Sequence, residues 1–406
     1  MNADEEKGDC ARQSLRRRRG LSFYPACCLV LFVTSTVHVS CAPGERMDSM
    51  NKSRIRFPRY EIPGLVERPA GWKVRPEEII AAVKGVKKGE VFQIATSPGG
   101  FPVHAAAWGP PRAKAGTATW ASGSNSRNVA SYKTGEGGPQ VVMLVCGVHA
   151  AEPEAIVGAV NLISLMETGK DLRGRERPAL VELAARYRLI VLPCVNMDGR
   201  AVSPDHLRGA TEEQFCIASQ GQWKDGGLIG YPGCKEYAPL PLERVRHPGG
   251  YPNADGYNIM HDCTPGDLRT QEARGLLRLV AEEQADLVLH LHSHEIGGQV
   301  LGAPLLAYPH HVQRTHEYKQ HVHDALERAG LRPAKVYPIH QRGGIGLGTA
   351  CTMASGCLSM VFEQSACDGW TFEESLEVFY VVLETFLRRG LEESFSPRLP
   401  VAQGKT

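Results

Sequence analysis

His149 and Glu152 stand three residues apart in Gly147-Val-His149-Ala-Ala-Glu152, directly after the unbroken apolar run 141–146. That spacing brings an imidazole and a carboxylate to one side of a tight turn or a helix start. Both are donors that zinc accepts, and a catalytic zinc site takes three protein donors and leaves one position for water. A lone His-x-x-Glu pair also fits an ordinary helix cap, so a third donor and a base decide the matter. His292 stands where the strand-like stretch 285–291 ends, with His290 and His294 as rivals two residues to either side. His290 reads as a buried strand residue, and His294 as a pocket residue. Glu363 ends a third strand-like run, 357–362. Alone it reads equally well as an ion-paired acid; after a zinc set it reads as a general base.

These residues need strands to carry them. Residues 90–96 and 102–108 flank Ser97-Pro-Gly-Gly as a hairpin. Apolar runs at 141–146, 188–195, 285–291 and 357–362 read as buried strands, and 300–308 as a further one. Helical patterns cover 155–166, 178–187, 268–283, 312–329 and 372–391. Such alternation predicts an α/β fold, a mainly parallel mixed β-sheet of about eight strands sandwiched between helices. Strand ends on one edge of such a sheet converge, which would gather the scattered donors. Residues 201–262 carry little regular pattern, and so long a loop in a compact domain is usually functional. The Gly-rich stretches 109–139 and 342–348 read as surface loops.

Composition is that of a globular chain, 42% apolar and 22% charged, and a net charge of +2 with no basic aromatic face argues against nucleic acid as a partner. Residues 1–46 read as a leader: a basic run at Arg16–Arg19, a 12-residue apolar stretch from Ala26, then small residues. The apolar stretch is too short for a stable membrane span. If the leader is real the protein is exported (periplasmic, secreted or lipid-anchored); if the start is Met47 or Met50 it is cytoplasmic. Residues 47–75 read as an irregular arm, 76–395 as a single domain and 396–406 as a tail. Cys146 and Cys194 read as plain buried thiols. Export would allow pairing among Cys216, Cys234, Cys263, Cys351, Cys357 and Cys367.

Taken together and in order, the motifs resemble those of the zinc carboxypeptidase family, the carboxypeptidase A-like metallopeptidases. Gly147-Val-His149-Ala-Ala-Glu152 is similar to its first zinc motif, Asn196-Met-Asp198-Gly199 to its Asn-Pro-Asp-Gly turn, Leu291-His292-Ser293 to its third-ligand motif, and Val361-Phe362-Glu363 to the strand bearing its catalytic glutamate. The resemblance implies one Zn2+ per chain on His149, Glu152 and His292, with Glu363 as general base toward a peptide or N-acyl amino acid substrate. Met260-His261 stands where the family has the Asn-Arg pair that clamps a substrate carboxylate, and His cannot reproduce the two-toothed fork of Arg. Lys224, after Trp223, falls roughly where the family has an oxyanion-stabilising Arg. His261, His294, Arg200 and Arg342 are the candidates for substrate binding, with Arg208 a weaker one.

The leading expectation is a zinc-dependent carboxypeptidase-like hydrolase. A zinc amidase or deacylase of small N-acyl substrates uses the same donor set, and a non-catalytic binding protein that kept the fold would explain the altered clamp.

Overall fold

The computed structural model describes residues 54–112, 138–294, 299–300, 308–333, 345–367 and 370–396. The chain divides into two compact units, Met1–Lys52 and Ser53–Thr406; the expected leader and the expected tail beyond Ser396 lie outside the described residues.

Within the second unit the strands are β1 (Glu90–Thr96), β2 (Pro102–Trp108), β3 (Val141–Cys146), β4 (Arg188–Leu192), β5 (Gln222–Trp223), β6 (Val245–His247), β7 (Leu287–His294), β8 (Gln299–Val300) and β9 (Leu358–Ser365). The helices are α1 (Pro76–Lys84), α2 (Pro153–Thr168), α3 (Pro178–Ala184), α4 (Met197–Val202), α5 (Glu212–Gln220), α6 (Gln271–Glu282), α7 (Pro309–Arg328), α8 (Leu347–Ser355) and α9 (Phe372–Glu392). Among the described residues the main sheet has the order β1-β2-β4-β3-β7-β9-β8, and β5 pairs with β6 in a separate ribbon.

The centre of the sheet, β4-β3-β7-β9, is parallel, while the β1–β2, β2–β4 and β8–β9 pairs are antiparallel. The sheet is therefore less uniformly parallel than the sequence suggests, with seven described strands against about eight expected. Parallel strands are covered on both faces, which is why every residue of β3 and β4 is buried and why both read as continuous apolar runs. The chain runs from β3 outward to β4 and returns to the other side of β3 as β7. The strand order thus reverses between β3 and β7, and crevices at such points open beyond the carboxyl ends of the strands.

Local chemistry fixes the helix ends. Pro153 opens α2 and Gly169 closes it in the left-handed region at φ 79°, while the Thr371 and Glu374 side chains form a reciprocal capping box at the start of α9. Gly158 on α2 admits the ring of Phe379 on α9, where a Cβ would lie 2.2 Å away. α8 has no counterpart in the sequence reading. Its sequence, Leu-Gly-Thr-Ala-Cys-Thr-Met-Ala-Ser, has no charged face to give it a period, and packing against α6 and β9 holds it helical. Residues 54–75 form no helix or strand; Arg59, Arg68 and Arg75 all pair with Asp205, and the Trp72 indole donates to the Asp205 carbonyl at 2.9 Å. Among the described residues no helix is long and apolar enough to cross a membrane.

Candidate metal centre

At the end of β3, Gly147 turns the chain at φ 60°, and the space for a Cβ there is taken by Cys194 Sγ at 2.8 Å. The next residues make a single turn, closed by the Glu152 amide donating to the His149 carbonyl at 3.2 Å, and Glu152 sits at the N-cap of α2. His292 lies on neighbouring β7, which runs three residues further than the sequence pattern implied. The Nδ1 atoms of His149 and His292 face the two oxygens of Glu152 at 3.1 and 2.8 Å. The donor atoms of these three buried residues all lie within 4.8 Å of one another.

Two donors about 2.0–2.1 Å from a tetrahedral ion are roughly 3.3 Å apart, so the cluster has the size and composition of a three-donor zinc site. Such a site requires neutral imidazoles and an ionised carboxylate. Burial lowers the His149 pKa, against the charge of Glu152. Burial pulls Glu152 upward, but the two facing imidazoles together outweigh it and hold the carboxyl at about 2. The Ser293 amide also donates to Glu152 at 3.1 Å. Behind it, Glu154 accepts from Ser293 Oγ at 2.7 Å and from Arg208 at 3.2 Å, and the Arg208 guanidinium lies against the rings of Trp72 and Phe372.

Glu363 is supplied by β9, which pairs in parallel with β7 so that His292 and Glu363 are register partners. Register partners project from the same face of a sheet, placing Glu363 on the side of the sheet that carries His292. Its charge reaches the phenol of Tyr251, and the Tyr251 ring stacks on His149 with centroids 3.8 Å apart and planes 17° from parallel.

Other candidates fall elsewhere. Burial pushes His290, which is fully enclosed in β7, to about 3. His294 is half-buried at the end of β7 beside Ser365, outside the donor group, and His261 is exposed at the end of a 3-10 turn. Arg200 is a correction: it is fully buried and donates to the carbonyls of Ala150, Ser203 and Pro204, which makes it a brace of the His149 turn and leaves no exposed guanidinium for a substrate. Arg208 is likewise committed to Glu154. Lys224 is exposed and lines a separate cavity with Trp223, Asp225, Tyr237, Glu243 and Arg244. Lys235, which lies over the Tyr231 ring, adds a small downward push on the His149 pKa, after burial and the charge of His292. Arg342 lies outside the described residues. Among the cysteines, Cys234, Cys263 and Cys351 are free buried thiols, as are Cys146 and Cys194.

The sequence reading missed Lys235 and Tyr251. Both lie in 201–262, where periodicity is silent; the one available signal was Gly249-Gly250 before Tyr251, since adjacent glycines mark close backbone approach. Asn196 and Asp198 explain the Asn-Met-Asp-Gly turn. Asn196 Nδ2 donates to the carbonyls of Gly250, Tyr251 and Pro252, and Asp198 accepts from the amides of Gly99 and Ala254. The turn therefore ties the Tyr251 segment to the sheet.

Residues 89–220 match the family model for zinc carboxypeptidase. A solved candidate carboxypeptidase from Burkholderia mallei ATCC 23344 is similar in fold, with 16% identity, a TM-score of 0.50 and coverage of 78% of this chain and 67% of that one. A metallo-carboxypeptidase from Pseudomonas aeruginosa, solved with (2-guanidinoethylmercapto)succinic acid, gives 14% identity, 0.48, 78% and 68%; carboxypeptidase A from Helicoverpa armigera gives 14%, 0.48, 80% and 76%. No curated protein matches the chain. With a zinc carboxypeptidase-family domain matched over 89–220 and a fold of that kind around it, the family that this chain resembles is the zinc carboxypeptidases.

Proposed function

We propose that the chain is a zinc-dependent metallocarboxypeptidase-like hydrolase of peptide or amide bonds. The observation that carries this reading is the buried His149–Glu152–His292 donor cluster with Glu363 in register beside it on the same face of the sheet. His149, Glu152 and His292 would hold one Zn2+, which when bound supplies a Lewis acid that lowers the pKa of water from about 16 to about 7. Glu363 takes a proton from the attacking water and returns it to the leaving nitrogen, so that the amine departs neutral. Ser293 and the Glu154–Arg208 pair keep Glu152 turned toward the two imidazoles. Lys235 contributes positive charge on the His149 side, the role that sequence position gave to Lys224.

Met260-His261 in place of an Asn-Arg clamp keeps a second reading alive, an amidase or deacylase of N-acyl amino acids. The test is to incubate zinc-loaded protein with a peptide library and with N-acyl amino acids. Release of single C-terminal residues is the expected result; cleavage of N-acyl compounds alone establishes the second reading. Glu363→Gln should keep the metal and lose turnover. Unchanged turnover of either substrate class in that variant would sink the hydrolase mechanism.

A further inference from the structure

We infer that Tyr251 is the positioning residue that fixes the ring plane of His149 and so presets one ligand of the proposed metal centre. The inference rests on the zinc reading above. A histidine ligand usually has its ring orientation set by a hydrogen bond from its distal nitrogen to a carboxylate or carbonyl. His149 lacks that device: its Nε2 is buried and has no hydrogen-bond partner among the described residues. The ring is instead covered face-on by Tyr251, 3.8 Å away and 17° from parallel. A stacked contact fixes the plane while leaving the in-plane Nδ1 facing Glu152, 3.1 Å away.

Tyr251 can serve as a fixed plate because its own position is over-determined. Its amide donates to the Ser219 carbonyl at 3.2 Å, its carbonyl accepts from Asn196 at 3.0 Å, and the Gln220 side chain hydrogen-bonds its phenol. The preceding Gly250 accepts from the Ala150 amide at 2.9 Å, so the plate and the ligand turn are joined backbone to backbone. The contact is tight enough that a Cβ at Gly250 would lie 2.4 Å from the Ala151 nitrogen. The plate therefore moves with the turn that carries His149.

The role predicts a metal-affinity effect that depends on ring shape and little on the hydroxyl. Zinc and cobalt affinities of purified wild type, Tyr251→Phe, Tyr251→Trp, Tyr251→Leu and Tyr251→Ala would be measured by competition with a chromophoric chelator, together with the cobalt absorption spectrum. Tyr251→Phe and Tyr251→Trp should stay within about threefold of wild type. Tyr251→Leu and Tyr251→Ala should lose roughly tenfold or more, the size seen when a group orienting a ligand is removed, with an altered cobalt spectrum. Should Tyr251→Ala fail to fold, the Phe–Leu pair carries the comparison, since Leu keeps apolar bulk without a flat face. Wild-type affinity in a folded Tyr251→Leu, or an equal loss in Tyr251→Phe, overturns the assignment. A wild type that binds zinc but cleaves nothing refutes the hydrolase reading and leaves this one standing; a wild type that binds neither ion removes both.

Discussion

The strand ends bearing His149, Glu152, His292 and Glu363 and the segment 221–262 that supplies Tyr251 and Lys235 are held by different forces. β3 and β7 are paired on both sides within the sheet, and β9 lies between β7 and β8. Their relative positions follow from ladder register, which a single side-chain change does not shift, because a one-residue slip would move every packed side chain to the opposite face of the sheet. Segment 221–262 has a two-stranded ribbon, 3-10 turns and a small apolar cluster of Ile229, Cys234, Leu240, Val245 and Tyr251. Its shape depends on individual hydrogen bonds, donated by Asn196 and accepted by Asp198 and Asp262, and on glycines at close approaches. The difference teaches that the geometry of the candidate donor cluster is a property of the sheet, whereas its surroundings are set residue by residue.

That contrast can be broken at four points. The largest effect is expected at Glu363: Glu363→Gln should cut turnover by about 10²–10⁴-fold, the usual contribution of a general base, with zinc content unchanged by metal analysis. Arg208→Ala tests the scaffold behind the ligands. It leaves Glu154 as an uncompensated buried carboxylate, for which a loss of about 3–5 kcal/mol is expected in urea unfolding.

Glu272, fully buried at the start of α6, tests the loop side, since its Oε1 accepts from Asn253 at 3.3 Å. Burial raises its carboxyl from the ordinary 4.5 to about 7, with Asp198 and Asp255 adding to the rise. The folded chain then holds this proton more tightly than the unfolded one. Its contribution is full below about pH 4.5 and is lost as pH climbs through about 7, to the extent of at most about 3 kcal/mol. Glu272→Gln should therefore shrink the stability difference between pH 5 and pH 8.5, read from urea midpoints. A difference as large as in wild type would assign the pH dependence to other groups.

The smallest pair of effects separates two lysines. Lys235→Met should lower kcat/KM by about tenfold, or ~1.4 kcal/mol, as befits one cation acting at short range through partly solvated protein. Lys224→Met, at an exposed site, should change neither activity nor stability by more than about 0.5 kcal/mol. Equal effects in the two variants would contradict the placement of Lys235 on the His149 side.

Much of the ligand geometry was legible because it is local. His149 and Glu152 share one turn after a continuous apolar strand, and any chain folding β3 into a covered sheet brings them together. The caps of α6 and α9 are equally local, Thr270 and Thr371 each accepting from the amide three residues on, although the sequence pattern placed the start of α6 three residues too early, at 268. The choice among His290, His292 and His294 was local only in part. The sequence reading prefers His292 because the apolar run stops there; that it lies opposite Glu363 follows from the pairing of β7 with β9, which no local pattern records.

By itself the sequence determined the long strands of the main sheet, most of the helices and the turn that places His149 beside Glu152, because apolar period and turn chemistry act over a few residues. Only the tertiary structure decided that Arg200 is buried on three carbonyls, that Lys224 lies exposed beside a separate cavity, and that Tyr251 covers the His149 ring. The contacts that bear on His149 and its turn join distant parts of the chain, Arg200 to Ala150 and Tyr251 to His149, and Tyr251 comes from an irregular segment that leaves no period in the chain. Such contacts are the sum of many weak long-range terms, which no local pattern records.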